Sequence, residues 1–134
     1  MSDSRDNIIV EKSERFADRI AKMYRYLSEK RQGDKDMLKQ IVRSGTSVGA
    51  NVSEGQYAQT KADFLTKMTI ALKEANETLY WLELLHDSEY IDERTFKSIH
   101  TEADEITAIL ASIVKSTKEN TEKYDNAKGI FLNP

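Results

Sequence analysis

Two glycines four residues apart, Gly45 and Gly49, interrupt a segment that otherwise has the apolar periodicity of an α-helix. Each glycine in a helix interior costs about 1 kcal/mol relative to alanine, so local propensity does not favour a helix here. A helix is still expected if another helix approaches too closely for a side chain to fit. The sequence therefore predicts a helix that ends near Gly55, and we expect Gly45 and Gly49 to pack against a neighbouring subunit.

Composition limits the fold class and several kinds of chemistry. A chain of 134 residues is one domain by size. Cysteine is absent, which excludes disulfides, zinc–thiolate sites and thiol nucleophiles. The single proline is Pro134 and glycine occurs only five times, so little interrupts long helices. These features predict an all-α protein.

Neither a membrane segment nor a leader is evident in the sequence. No apolar run approaches the roughly 20 residues that span a bilayer. Residues 1–6 lack the cationic start and apolar block of a signal peptide. We therefore expect a cytoplasmic protein.

Four amphipathic segments joined by short links account for most of the chain. The cap of the first is either Ser13 or the earlier Asp6 or Asn7; we favour Ser13, with residues 8–10 leading in, and place the first link at residues 32–34. Thr60 and Asp92 are the expected caps of the third and fourth helices. Short links require antiparallel neighbours, so the sequence predicts an antiparallel up-and-down four-helix bundle.

We assign the bundle to residues 1–117 and a polar C-terminal tail to residues 118–134. The tail contains one small apolar cluster, residues 130–132, which either docks on a neighbour or remains mobile.

Three blocks of sequence carry a resemblance to a known family. They are residues 43–54 (RSGTSVGANVSE), 61–64 (KADF) and 70–82 (IALKEANETLYWL). The chain is similar over about residues 9–116 to the bacterial four-helix-bundle family encoded in 23S rRNA intervening sequences. This family is related to the accessory variability determinant of diversity-generating retroelements, a basic barrel that works with a reverse transcriptase and RNA.

The resemblance implies a ring of five bundles, hence a homopentamer. This chain departs from the basic barrel because its formal net charge is −3. A net acidic ring argues against indiscriminate binding of phosphate. Any contact with RNA must therefore come from a local basic patch.

Basic residues are concentrated in the first part of the chain. Residues 1–45 contain 11 Lys and Arg against 8 Asp and Glu, a balance of +3, whereas residues 46–134 sum to −6. One face of the first helix and the start of the second are the candidate nucleic-acid surface. Its residues are Lys12, Arg15, Arg19, Lys22, Lys35 and Lys39. The alternative is a solvated face, because Glu11, Glu14 and Asp18 are interleaved with these cations.

A second polar stripe lies within the family block on the second helix. Arg43, Ser47, Asn51 and Glu54 fall within about 80° of one another at about 100° per residue. One interpretation is a ligand or RNA surface, with Arg43 contacting phosphate. The other, which we favour, is an interhelical network in which Arg43 pairs with a carboxylate such as Glu74 or Glu77.

Catalytic and metal-binding patterns are weak. Glu83 and His86 form the Glu-x-x-His half of a di-iron motif, but the second pair that such a site needs is missing. The chain has no phosphate loop or nucleophile elbow, and its aromatic residues show no stacking array of the single-strand-binding type. We expect no enzyme activity, metal or cofactor.

The sequence thus predicts a non-enzymatic, ring-forming interaction protein that contacts RNA, or a partner that handles RNA, through the basic face of the first helix. The alternative is an oligomeric scaffold that binds only proteins.

Overall fold

The computed structural model describes residues 4–128, which form four helices and no strands. Helix α1 spans Ser4–Glu29, α2 spans Lys35–Gly55, α3 spans Lys61–Asp87 and α4 spans Glu93–Lys128. Successive helices pack against each other, and α1 closes the array against α4. The antiparallel four-helix bundle predicted from the sequence is confirmed.

The core is formed by apolar side chains that recur every three or four residues on the inward face of each helix. Buried members from α1 and α2 are Ile9, Phe16, Ile20, Leu27, Leu38, Ile41, Val48 and Val52. Those from α3 and α4 are Met68, Leu82, Leu85, Ile99, Ile106 and Leu110. Within residues 4–128, none of the helices has the combination of length and apolar character that crossing a membrane requires.

Side-chain caps define the starts of the last three helices. Asp34 accepts a hydrogen bond from the N–H of Met37 at 3.0 Å, and Thr60 accepts one from the third residue after it at 3.0 Å. Asp92 accepts the N–H of Thr95 at 2.7 Å, which lowers the pKa of its carboxyl group. Because this pKa is lowered by folding, the stabilisation by this cap is lost as the pH falls through it. The predicted caps Thr60 and Asp92 are confirmed.

The predicted start of α1 is wrong. The helix begins at Ser4, and Ser13 lies inside it, where its hydroxyl donates to the carbonyl oxygen of Val10 at 3.3 Å. Ile9 is fully buried in the core, so the residues expected to lead into the helix belong to its packed face. Burial of this apolar side chain outweighs the capping preference of a serine.

The two glycines of α2 lie against α1. A Cβ atom added to Gly45 would lie 3.0 Å from Cγ2 of Ile20, and one added to Gly49 would lie 3.2 Å from the carbonyl oxygen of Ser13. The close helix partner that the glycines predict is therefore present. It belongs to the same chain, which corrects the expectation that Gly45 and Gly49 pack against a neighbouring subunit.

Helix α4 continues well past the other helices. Residues 118–128, the first part of the predicted polar tail, extend this helix, and most of their described side chains are exposed. The apolar cluster at residues 130–132 lies outside the described residues. The division of the chain after residue 117 stays a prediction.

Helices α1 and α3 are each followed, two residues after the last helical residue, by a non-glycine residue in the left-handed region. These residues are Arg31, with φ 54°, and Glu89, with φ 63°. The next residues, Gln32 and Tyr90, donate their N–H groups to carbonyls five residues earlier at 2.8 and 3.1 Å. This is the Schellman arrangement, whose left-handed position usually holds glycine because a Cβ atom is strained there.

Replacing the left-handed residue with glycine tests this strain. We expect Arg31→Gly to raise the free energy of unfolding by about 0.5–1 kcal/mol, because glycine adopts positive φ freely. The matched control is Lys30→Gly, one residue earlier at a position without positive φ. We expect this variant to lower the free energy of unfolding. Thermal or urea unfolding compares the variants, and an equal loss of stability in both would contradict the strain.

Candidate nucleic-acid interface

Half of the basic stripe predicted on α1 is occupied by contacts with α4. Lys12 Nζ lies 3.1 Å from a carboxylate oxygen of Glu105. Arg19 pairs with Glu102, and its second terminal nitrogen donates to the hydroxyl of Ser98 at 3.0 Å. These two cations therefore hold α1 against α4, and their charge is largely neutralised within the bundle.

The contacts of Lys12 and Arg19 belong to a longer polar seam between α1 and α4. Arg5 donates to the hydroxyls of Ser112 at 2.7 Å and Ser116 at 2.9 Å. Arg5, Lys12 and Arg19 recur every seven residues, which returns a side chain to nearly the same side of a helix after two turns. The seam therefore sets the register of α1 on α4.

The other two members of the α1 stripe point away from α4. Lys22 pairs with Asp18 at 2.9 Å, the local pairing that a solvated face predicts. Arg15 is exposed and has no carboxylate within 4.0 Å in the described part of the chain. The stripe is therefore divided between a seam and a solvent face.

A second group of cations surrounds the turn between α1 and α2. Arg25, Arg31, Lys35 and Lys39 are exposed, and among residues 4–128 none of them forms a salt bridge. We call these four residues the basic corner. Two of them, Lys35 and Lys39, belong to the predicted nucleic-acid set, whereas Arg25 and Arg31 do not. Sequence reasoning missed these two because it followed one helix face and not the turn.

The predicted pairing of Arg43 is present. Its guanidinium lies 3.2 Å from Glu74 and also pairs with Glu77, so it bridges α2 to two successive turns of α3. Gln40 accepts a further hydrogen bond from Nε at 3.1 Å. Arg43 is therefore part of an interhelical network, although about half of its side chain is exposed.

The remaining members of the α2 polar stripe also make contacts within the chain. Asn51 donates to the carbonyl oxygen of Ser47 at 2.9 Å and to its hydroxyl at 3.1 Å. Glu54 pairs with Lys67 of α3 at 2.7 Å. The whole stripe follows the outer edge of the α2–α3 contact.

A buried hydroxyl pair inside the same contact was missed from the sequence. Thr78 donates to the hydroxyl of Ser44 at 2.9 Å, and Ser44 donates to the carbonyl oxygen of Gln40 at 2.9 Å. Both side chains are fully buried. The available signal was the position of Ser44 between Ile41 and Val48 on the core face, at helical spacing.

Glu83 and His86, the half-motif of a metal site, instead join α3 to α4. His86 hydrogen-bonds to Glu93 at 3.0 Å, and Glu83 hydrogen-bonds to His100 at 2.9 Å. Phe96 lies between the two imidazoles, with ring centroids 4.0 and 4.8 Å away. We call these five residues the histidine clasp. In the described part of the chain no cluster of three or more potential metal ligands is present.

A groove of about 900 Å³ opens between the end of α1 and the α3–α4 turn. Two tyrosines with exposed side chains, Tyr26 and Tyr90, line it, above a floor that includes Leu27 and Ile91. The sequence did not reveal this pair, because the two tyrosines lie on different elements and meet only through the fold. The expectation that the aromatic residues form no stacking array of the single-strand-binding type stays a prediction.

Comparisons with known proteins identify relatives of this architecture. The family described as 23S rRNA-intervening sequence protein matches residues 5–112. A crystal structure of a protein of unknown function from the S23 ribosomal protein family of Bacteroides thetaiotaomicron is similar, with 50% sequence identity and a TM-score of 0.79. The match covers 83% of this chain and 98% of that chain. None of the curated proteins matches.

Removal of Arg43 tests the interhelical network. We expect Arg43→Ala to lower the free energy of unfolding by about 1 kcal/mol, because Glu74 and Glu77 lose their shared cation in a partly exposed site. The control, Lys39→Ala, removes an exposed cation one turn earlier on α2 and should change stability by less than about 0.5 kcal/mol. Equal unfolding midpoints for the two variants would contradict the network.

Proposed function

Because this chain belongs to the 23S rRNA-intervening sequence protein family, we propose that it is a non-enzymatic interaction protein that assembles into a ring and contacts RNA. The description of the family refers to 23S rRNA, and that of the structural relative refers to a ribosomal protein family. Neither description names a binding partner, so the RNA proposal rests on the charges of the structure.

The basic corner is the observation that carries the RNA proposal. Binding to phosphate requires cations whose charge is not already neutralised by carboxylates, because the affinity comes from releasing counterions. Arg25, Arg31, Lys35 and Lys39 meet this requirement, whereas Lys12 and Arg19 are held by α4. We therefore propose that the turn between α1 and α2 contacts RNA, together with the exposed Arg15 of α1.

The net negative charge of the chain does not prevent such a contact. Charges separated by more than a Debye length, about 8–10 Å at physiological salt, are largely screened. The segment 25–39 at this end of the bundle contains five Lys and Arg against three Asp and Glu, a local balance of +2, so the charge nearest to a phosphate there is positive. In a ring every subunit would present one corner, and several weak contacts would combine into higher avidity.

The outer face of α3 supports assembly. Ile70, Tyr80 and Leu84 fall within about 80° of one another on the outer side of α3, a sector that also contains Lys73 and Glu77. Trp81 borders this sector and packs against the core. Ile70 and Tyr80 are exposed to 37% and 58%, and the buried indole N–H of Trp81 has no acceptor in the described residues. A neighbouring subunit on this face would cover the exposed apolar surface of Ile70 and Tyr80.

The alternative function is an oligomeric scaffold that binds only proteins. If the basic corner does not bind RNA, the exposed apolar side chains of α3 favour this alternative. Salt dependence separates the two functions. Phosphate contacts weaken steeply between low and physiological salt, whereas contacts between apolar surfaces do not.

Charge reversal at the corner tests RNA binding. We expect Lys35→Glu combined with Lys39→Glu to weaken binding of structured RNA and to reduce the salt slope, by about 0.9 for each duplex phosphate that the variant no longer neutralises. The matched control, Lys118→Glu with Lys123→Glu, changes the same number of exposed charges at the other end of α4. Fluorescence anisotropy at several salt concentrations measures both. If no complex with RNA forms at tens of micromolar protein and low salt, the RNA proposal is wrong and the protein-only scaffold remains as the function.

Disruption of the α3 face tests assembly. Light scattering of the native chain should give a multiple of 15.4 kDa, with a pentamer expected. We expect Ile70→Glu with Tyr80→Glu to yield monomers, because each places a charge in the apolar contact. Lys118→Glu with Lys123→Glu, at exposed positions on α4, should leave the mass unchanged. A monomer mass for the native chain at micromolar concentration would contradict the proposal that it assembles into a ring.

A further inference from the structure

The groove beside the α3–α4 turn has the dimensions and the surface of a ligand site. Its volume of about 900 Å³ falls within the range of small-molecule sites, about 300–1,000 Å³. The side chains of Tyr26 and Tyr90 are exposed to 58% and 38%, whereas Leu27 and Ile91 beneath them are nearly buried. Two aromatic rings thus stand open above an apolar floor.

The groove begins where the polar seam between α1 and α4 stops. Arg5, Lys12 and Arg19 contact α4 at intervals of seven residues, and the next position in this series is Tyr26. Tyr26 lines the groove, together with residues Asp92 and Thr95 at the start of α4. At this end of the bundle α1 and α4 therefore leave an open space between them. Along the polar seam, side-chain contacts close the gap between the same two helices.

Cations lie at the edge of the groove. Lys30 Nζ is 5.8 Å from the centroid of the Tyr26 ring, and Lys22 lines the groove. Arg31 of the basic corner immediately precedes Gln32, another lining residue. Proteins that bind single-stranded nucleic acids combine aromatic faces with nearby cations. Here the cations lie at the edge, because the groove itself is lined by the carboxylates of Glu89 and Asp92 as well as by Lys22.

The two strained turns lie at this same end. Arg31 and Glu89 keep side chains at positive φ, where glycine would relieve strain, and each directly precedes a residue that lines the groove. Glu89 itself lines the groove. Its carboxylate repels phosphate but can accept hydrogen bonds from the N–H groups of a base. The interior of the groove thus suits a base, and the outer cations suit phosphates.

We propose that this groove receives an unpaired RNA base, held by contacts with both Tyr26 and Tyr90, while the basic corner holds the adjoining phosphates. The proposal rests on the proposed RNA function and adds the class of nucleic acid, which is single-stranded RNA. A base within a duplex is stacked on its neighbours and does not reach the tyrosine rings.

Tyrosine-to-leucine substitutions test the groove, since leucine keeps an apolar side chain but removes the aromatic face. The probes are a single-stranded RNA oligonucleotide containing 2-aminopurine and a duplex of the same length. We expect Tyr26→Leu and Tyr90→Leu each to weaken single-strand binding by about tenfold, to abolish the quenching of 2-aminopurine fluorescence, and to leave duplex binding unchanged. Tyr57→Leu, 85% exposed at the other end of the bundle, is the matched control.

The outcomes distinguish the groove from the proposed function. If both tyrosine variants retain single-strand affinity while reversal of Lys35 and Lys39 weakens it, the groove is not a base site and the RNA function stands. An equal loss of single-strand and duplex affinity would also overturn the groove. If the native chain binds neither probe at low salt, both proposals fail. Thermal melting of each variant checks that the fold is retained.

Discussion

The close approach of α1 to α2 at Gly45 and Gly49 determines where the rest of the bundle lies. No side chain fits at either position without displacing Ile20 or the backbone at Ser13. Because protein interiors are close-packed, even a shift of a few tenths of an ångström there would disturb the packing of α1 on α2. The position of α1 in turn decides which of its cations reach the carboxylates of α4. A contact between small residues on one side of the bundle thus controls a polar contact on another side.

Some cations on the sides of the bundle are paired across helix contacts, whereas those at the turn between α1 and α2, like Arg15 of α1, are not. Along the sides, Lys12 and Arg19 are neutralised by α4, and Arg43 is neutralised by α3. At the turn between α1 and α2 the cations have no such partners among the described residues. The surface available to an anionic ligand therefore depends on which charges the fold leaves unpaired, and the net charge of −3 does not reveal it.

The histidine clasp links the packing of α3 and α4 to the groove. His86 hydrogen-bonds to Glu93 across the α3–α4 turn, stacks on Phe96, and also lines the groove. The turn that carries Tyr90 is thus held at both ends, by the clasp and by the Schellman hydrogen bond of Tyr90 itself. A ligand in the groove would meet a prearranged surface, which reduces the entropy cost of binding.

The sequence by itself determined the features that depend on neighbouring residues along the chain. These are the number and type of the helices, the caps Thr60 and Asp92, and the polar stripe that contains Arg43. Only the tertiary structure decided which helix meets Gly45, that α1 begins at Ser4, and that Tyr26 and Tyr90 share a groove. Helical periodicity and capping act over three or four residues, so a sequence displays them directly. Contacts between residues far apart along the chain depend on how the helices pack, and periodicity does not specify which residues on two facing helices meet.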